Sequence, residues 1–139
     1  MDTKMLTAEI IVAAPIEKVW EVWILPEHIK NWNNISEEWH TPIAQNDFRE
    51  GGKLFLRMEK KDKSEGFDYS CTYDEIVVNK KISHTGDDRR KTSITFSETS
   101  SGVKITETFE PDKNVPMAMQ EQFCQSILIN FKRYVEEMN

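Results

Sequence analysis

The stretch that decides the fold is the C-terminal run VPMAMQEQFCQSILINFKRYVEEM, residues 115–138. Its apolar residues recur every three or four positions, which predicts an amphipathic helix of roughly 24 residues, about 36 Å long. A helix of that length crosses a small domain, so its apolar stripe must be covered by the rest of the chain. The stripe comprises Phe123, Cys124, Ile127, Leu128, Phe131, Tyr134, Val135 and Met138.

Upstream of this helix the apolar pattern has a period of two, as in β-strands. Alternating segments run from Leu54 to Phe109 and are separated by turn signals such as Gly51-Gly52. Before them, residues 6–13 (LTAEIIVA) predict a strand, and Pro15 and Pro26 mark the starts of two short helices. The predicted order is one strand, two short helices, roughly six antiparallel strands and the long helix. The long helix must cover one face of the sheet, which leaves a cavity between sheet and helices.

Composition excludes several partner classes. The chain has 139 residues, 38% apolar and 30% charged, and its net charge is -6, which argues against nucleic acid or an anionic membrane as partner. No segment approaches the roughly 18 apolar residues of a membrane span, and there is no signal-peptide pattern. Cys71 and Cys124 have no metal or redox spacing. We expect a cytoplasmic protein with a single domain, residues 1–139, and neither metal nor cofactor.

A second informative stretch is EEWHTPIAQNDFREGGKLFLRME, residues 37–59. Gly51-Gly52 before a strand predicts a tight turn that needs positive φ, and Asp47 and Arg49 are expected to cap or pair across it. Adjacent strand residues point to opposite faces, so only one of Trp39 and His40 can face the cavity. We favour Trp39 in the core or a hydrophobic seam and His40 hydrogen-bonded to a neighbouring loop; the alternative places one of them at the pocket mouth.

Polar residues on otherwise apolar strand faces are the candidates for chemistry. Glu107 shares its face with Val103 and Ile105, and an inward Glu would have a raised pKa and could act as a base or ligand acceptor. The alternative, which we favour, places it at the strand end in water or pairs it with a neighbouring Arg or Lys. His84 is likewise expected at a solvent edge. Tyr69 and Tyr73 offer apolar rings with a polar tip. There is no recognisable nucleophile motif around any Ser or Cys, and no metal-ligand spacing.

The chain resembles a known family along nearly its whole length, from Ala8 to Glu137. The matching segments are VAAPIEKVWEVWILPEHIKNWNN, EWHTPIAQNDFREGGKLFLRMEKKDKSEGFDY, TYDEIV, TFEPD and ILINFKRYVEEM. They look like the stand-alone, mostly bacterial homologues of the activator of the heat-shock-protein-90 ATPase. That group belongs to the superfamily of START domains, the birch pollen allergen and polyketide cyclases.

The resemblance implies the α+β helix-grip fold. In this fold a seven-stranded curved antiparallel sheet wraps around a long C-terminal helix, and two short helices follow the first strand. It adds a strand to the pattern, expected near Glu38 to Pro42. Family members usually carry Gly-Trp where this chain has Phe123-Cys124. Cys for Trp would enlarge the pocket, and Phe for Gly could shrink it from another side.

The resemblance further implies that the cavity binds a small hydrophobic or amphipathic molecule, such as a lipid, sterol, flavonoid or polyketide. Two alternatives stay open: a co-chaperone that activates a heat-shock-protein-90 ATPase, and a cyclase-like enzyme. We rank the co-chaperone lower because these 139 residues leave no room for the activator's separate chaperone-binding domain. The predicted cavity residues are Trp32, Trp39, His40, Leu56, Met58, Tyr69, Tyr73, Phe96, Glu107, Met117, Phe123, Cys124, Ile127 and Phe131.

Overall fold

The computed structural model describes residues 5–138. It contains seven strands and three helices in the predicted order. The elements are β1 (Leu6–Val12), α1 (Ile16–Ile24), α2 (Pro26–Trp32), β2 (Trp39–Asn46), β3 (Lys53–Lys60), β4 (Gly66–Val77), β5 (Lys81–Gly86), β6 (Lys91–Thr99), β7 (Gly102–Phe109) and α3 (Met117–Glu136).

All strands belong to one antiparallel sheet with the order β1-β7-β6-β5-β4-β3-β2. Strands β2 to β7 form a meander of neighbours, and β1 joins its far edge by pairing with β7, from Leu6 opposite Phe109 to Val12 opposite Val103. The extra strand implied by the resemblance is β2, which is longer than predicted and lies at the other edge of the sheet. The α+β helix-grip prediction is therefore confirmed.

Helix α3 is slightly shorter than the predicted 115–138, because Pro116 is its N-cap and the helix begins at Met117. Its side chains Leu128, Phe131 and Val135 face the sheet and are fully buried. Phe123 was wrongly placed on the same stripe, since it is 43% exposed. It lies five residues before Leu128. Side chains five residues apart on an α-helix point in directions that differ by about 140°, so Phe123 faces away from the buried stripe.

Side chains of α3 also cover the free edge of β1. They reach backbone groups on alternate residues of the strand, which leaves less of this edge available for pairing with another chain. The hydrogen bonds are Gln125 Nε2 to Glu9 O (3.0 Å), Lys132 Nζ to Ile11 O (2.9 Å) and Ala13 N to Glu136 Oε2 (2.8 Å).

The Gly-Gly turn between β2 and β3 is a demanding turn, as predicted. Gly51 has φ of 84°, and a Cβ on Gly52 would lie 2.1 Å from the backbone oxygen of Asp47. Arg49 Nε lies 3.0 Å from Asp47 Oδ2. Across residues 5–138 we find no helix with the length and apolar character of a membrane span.

Candidate functional site

A cavity of about 290 Å³ lies between the sheet and the helices α2 and α3. Period-two alternation along β3 to β7 turns every second side chain toward it, and α3 closes it from the other side. Its wall is aromatic and aliphatic at one end and carries polar and charged groups at the other.

The apolar end is built around two tryptophans. Trp23 and Trp32 stand 4.9 Å apart between ring centroids, and Trp32 Nε1 donates to the backbone oxygen of Val22 at 3.0 Å. Leu56 and Met58 of β3 complete this end of the wall. Because the Trp32 hydrogen bond fixes one ring and the other packs against it, this end presents a largely preformed apolar surface.

Phe96 and Phe131 lie behind this surface and do not line the cavity. Their ring centroids are 5.7 Å and 5.0 Å from that of Trp23, which packs edge-on against both. The two phenylalanines were predicted to line the cavity, and Trp23 takes that position instead. They serve as the packing layer that holds Trp23 in place.

Glu107 lies in an apolar row that crosses the sheet. It stands opposite Ile94 of β6 and Ala8 of β1, both buried, and it lines the cavity. No ion pair within residues 5–138 involves it, and the thiol of Cys124 on α3 donates a hydrogen bond to its carboxylate. Burial raises the pKa of Glu107 to about 7, and this thiol opposes the shift. The favoured expectation of a solvated strand-end glutamate is wrong.

Cys124 faces the cavity where family members usually have Trp. Burial, and then the neighbouring Glu107 carboxylate, raise the pKa of its thiol far above the ordinary value. The thiol therefore stays protonated and acts as a donor to Glu107 rather than as a nucleophile. Phe123 points away from the cavity, so it does not narrow the pocket as considered from the sequence.

His84 is the second buried polar group of the wall. Only 8% of it is exposed, and its Nδ1 has no hydrogen-bond partner among residues 5–138. Burial lowers the pKa of His84 to about 4, so the ring is neutral near pH 7. The expectation of a solvent-edge histidine is wrong because β5 does not end there: Gly86 N and Asp87 N continue the pairing to Arg90 O and Ser70 O.

Two tyrosines on β4 pack edge-on against His84, with centroid separations of 6.4 Å for Tyr69 and 6.2 Å for Tyr73. Burial raises the pKa of both hydroxyl groups above the ordinary value. The Tyr73 hydroxyl donates to Asn46 Oδ1 at 2.7 Å, so it already has a structural partner. The Tyr69 hydroxyl also has a partner, since it donates a hydrogen bond to the sulfur of Cys71, and both tyrosines line the cavity.

The rim of the cavity, defined here as Asp88, Arg90 and Glu110, is charged. Arg90 Nε lies 2.6 Å from Asp88 Oδ2, and Glu110 Oε1 accepts from the backbone amide of Lys91 at 2.7 Å. Partial burial of Asp88 works against its ionisation. The hydrogen bonds and charge of Arg90 outweigh this effect and hold the pKa of Asp88 below its ordinary value.

The structure brings part of the predicted set together in the wall. The predicted residues that line the cavity are Trp32, Leu56, Met58, Tyr69, Tyr73, Glu107, Cys124 and Ile127. The predicted residues that lie elsewhere are Trp39, His40, Phe96, Met117, Phe123 and Phe131.

Neither member of the Trp39-His40 pair reaches the main cavity. Trp39 packs against Phe67, with ring centroids 5.8 Å apart, in the hydrophobic seam that we favoured. His40 Nε2 lies 3.4 Å from Glu59 Oε1, so its partner is the neighbouring strand β3 and not a loop. Met117 is 46% exposed, since it occupies the first turn of α3.

Several wall residues were missed from the sequence. Trp23 was not among the predicted cavity residues, and His84 was assigned to solvent. The charged rim was missed because Asp87-Asp88-Arg89-Arg90-Lys91 has the pattern of an ordinary polar turn. Gly86 and the turn after it carry two of these charges to the cavity. Within the described chain, no group of His, Cys, Asp and Glu side chains could hold a metal ion.

The curved seven-stranded antiparallel sheet wraps around the C-terminal helix, and a cavity lies between them. This arrangement defines the helix-grip class of α+β proteins. Within that class, the chain belongs to the family described as Activator of Hsp90 ATPase homolog 1-like protein, whose model matches residues 13–136. Comparison with curated proteins gives no match.

Solved structures agree with this assignment. An AHSA1-like protein from Aeromonas hydrophila is 34% identical with a TM-score of 0.91, covering 96% of this chain and 93% of its own. A protein from Cytophaga hutchinsonii is 42% identical with a TM-score of 0.82, covering 95% and 92%. A protein from Chromobacterium violaceum, 21% identical with a TM-score of 0.85 and covering 95% and 97%, shares the fold.

Proposed function

We propose that this protein binds a small hydrophobic or amphipathic molecule in the cavity between the sheet and α3. The observation that carries the proposal is the cavity itself, about 290 Å³ with an aromatic end and a few inward polar groups. Ligand pockets commonly have volumes of about 300–1,000 Å³ and this mixture of lining residues. The volume favours a small ligand over one of sterol size.

Affinity would come from burial of the ligand's apolar surface against Trp23, Trp32 and Met58. Each 100 Å² or so of apolar surface removed from water contributes about 2.5 kcal/mol. Glu107, His84 and Tyr69 would orient the ligand, since their polar atoms face an otherwise apolar space.

The test is a two-dimensional NMR titration with small apolar and amphipathic compounds, performed on the unmodified protein and on Cys124→Trp. The indole would occupy the cavity, so we expect affinity to fall at least tenfold. The matched control is Phe123→Trp, one residue away on the exposed side of α3, which should bind as the unmodified protein does. Ile127→Trp is a second filling variant. Binding that survives both filling variants would place the ligand elsewhere.

A cyclase-like enzyme is the second candidate, favoured by one observation. Glu107 has a pKa of about 7 and lies in the same cavity as the neutral His84, an arrangement suited to proton transfer near neutral pH. Glu107→Gln removes the base and keeps the shape. A turnover that persists in this variant would exclude Glu107 as the base.

The family description supports a third, lower-ranked candidate, the activation of a heat-shock-protein-90 ATPase. Adding the protein to such an ATPase and measuring phosphate release tests it directly. An unchanged rate would exclude this role.

A further inference from the structure

The charges around the cavity are unequal. The carboxylates of Glu107, Asp88 and Glu110 all contribute to its wall, whereas Arg90 is the one cationic side chain among the described lining residues. Arg90 is already engaged by Asp88 at 2.6 Å. An anionic head group entering the cavity would therefore meet an excess of negative charge and no unengaged cation.

Glu107 is the innermost of these carboxylates. Its neighbours across the sheet are Ile94 and Ala8, and its hydrogen-bond partner is the weak thiol donor of Cys124. An ionised carboxylate accepts several hydrogen bonds, and a single thiol satisfies little of that capacity. Glu107 is thus a partly buried acceptor that lines the cavity and has unused hydrogen-bonding capacity.

His84 is a second polar group of the wall whose hydrogen-bonding capacity is not used, and it is independent of Glu107. Its ring is 8% exposed and lines the cavity, and its Nδ1 has no hydrogen-bond partner in the part of the chain that the structure describes. Buried polar atoms in folded proteins nearly always have a hydrogen-bond partner. The neutral ring adds no positive charge that could attract an anion.

We propose that the cavity selects a small molecule with an apolar body and an amine head group, which lies against Glu107 within reach of His84. This inference rests on the proposed ligand-binding function and names the chemical class of the ligand. The amine would supply the positive charge and the N–H donors that Glu107 lacks, while the apolar body would pack against Trp23 and Trp32. Fatty acids and other carboxylates would be disfavoured.

The probes are octylamine, octan-1-ol and octanoate, which share one apolar chain and differ only in the head group. Isothermal titration calorimetry at pH 7.5 should show octylamine binding at least tenfold more tightly than octanol, with octanoate weakest. In Glu107→Gln, octylamine should lose at least tenfold in affinity and fall to within about threefold of octanol. Glu98→Gln makes the same charge change at an exposed position near the end of β6, outside the cavity wall, and should preserve the preference for the amine.

The pH dependence provides a readout that needs no variant. The titratable side chains that line the cavity together with Glu107 are Cys124 on α3, Tyr69 and Tyr73 on β4, His84 on β5, and the charged rim. Cys124, the two tyrosines and His84 stay uncharged between pH 6 and 8, and Glu107 ionises in this range. Octylamine stays cationic throughout, so its affinity should rise from pH 6 to 8 as Glu107 ionises, and that of octanoate should fall.

The outcomes separate the two levels of the argument. If octanol or octanoate binds as tightly as octylamine, or if Glu98→Gln weakens octylamine as much as Glu107→Gln does, the amine inference is overturned and ligand binding stands. If none of the three probes shifts the cavity amides in NMR spectra, and a wider set of apolar compounds also fails, the proposed binding function is overturned as well.

Discussion

Replacing Glu107 by Gln should stabilise the protein, and the gain should depend on pH. The pKa of this carboxyl rises from its ordinary 4.5 to about 7 because folding buries it. The folded state therefore holds a proton that the unfolded chain releases between these two pH values. Stability is undiminished below pH 4.5, falls as pH rises to about 7, and stays lower above that.

The magnitude follows from the two pKa values. At about 1.4 kcal/mol per pH unit, the interval from 4.5 to about 7 corresponds to about 3 kcal/mol. The glutamine side chain of the variant would be neutral at every pH, so its unfolding free energy would not fall in this way. The difference in unfolding free energy between Glu107→Gln and the unmodified protein should grow by about 3 kcal/mol between pH 4.5 and 7.5 and then level off.

Urea denaturation followed by circular dichroism, at one-unit steps from pH 4.5 to 8.5, measures this difference. The titration of His84 and of the surface groups is common to both proteins and cancels in the comparison. Glu98→Gln, at an exposed position near the end of β6, is the matched control and should show a difference that does not vary with pH. A constant difference for Glu107→Gln as well would refute the conclusion that Glu107 is buried away from water.

Two further predictions concern packing and backbone geometry. Leu128→Ala on α3 should lower the unfolding free energy by about 3 kcal/mol, because this side chain is fully buried, whereas Ile129→Ala, at 42% exposure, should cost less than about 1 kcal/mol in the same urea experiment. Gly52→Ala should destabilise more than Gly51→Ala, although only Gly51 has positive φ, because the new Cβ would meet the backbone oxygen of Asp47. Thermal denaturation ranks the two glycine variants, and the reverse order would contradict this geometry.

The order of the elements could be predicted from periodicity, whereas strand β2 and the helix-grip arrangement were predicted from the family resemblance. The helical stripe from Cys124 to Val135, the period-two strands and the Pro15 and Pro26 helix starts are local signals that survive averaging over many residues. Small errors arose at element ends. The start of α3 was misplaced by two residues because Pro116 follows Val115, and the N-cap was not distinguished from the first turn.

The cavity wall could be predicted only in part, since its membership depends on contacts between distant segments. Phe96 lies on the predicted face of its strand, but Trp23 of α1 stands between it and the cavity. His84 is buried because the turn after Gly86 continues the hydrogen bonding of β5. The packing of several elements decides which aromatic ring faces the cavity and which strand end is buried. Such packing leaves no pattern within a single segment of sequence.

The hydrogen bonds between α3 and the edge of β1 restrict how the cavity can exchange its contents. Swinging α3 outward would leave the carbonyl groups of Glu9 and Ile11 and the amide of Ala13 without these partners. The turn between β5 and β6 is joined to the sheet at its base, and its Asp88-Arg90 pair is partly in solvent. We therefore expect that a ligand would enter the cavity past this turn. The width of the rim, rather than the volume of the cavity, would then set the size of the largest molecule that can enter.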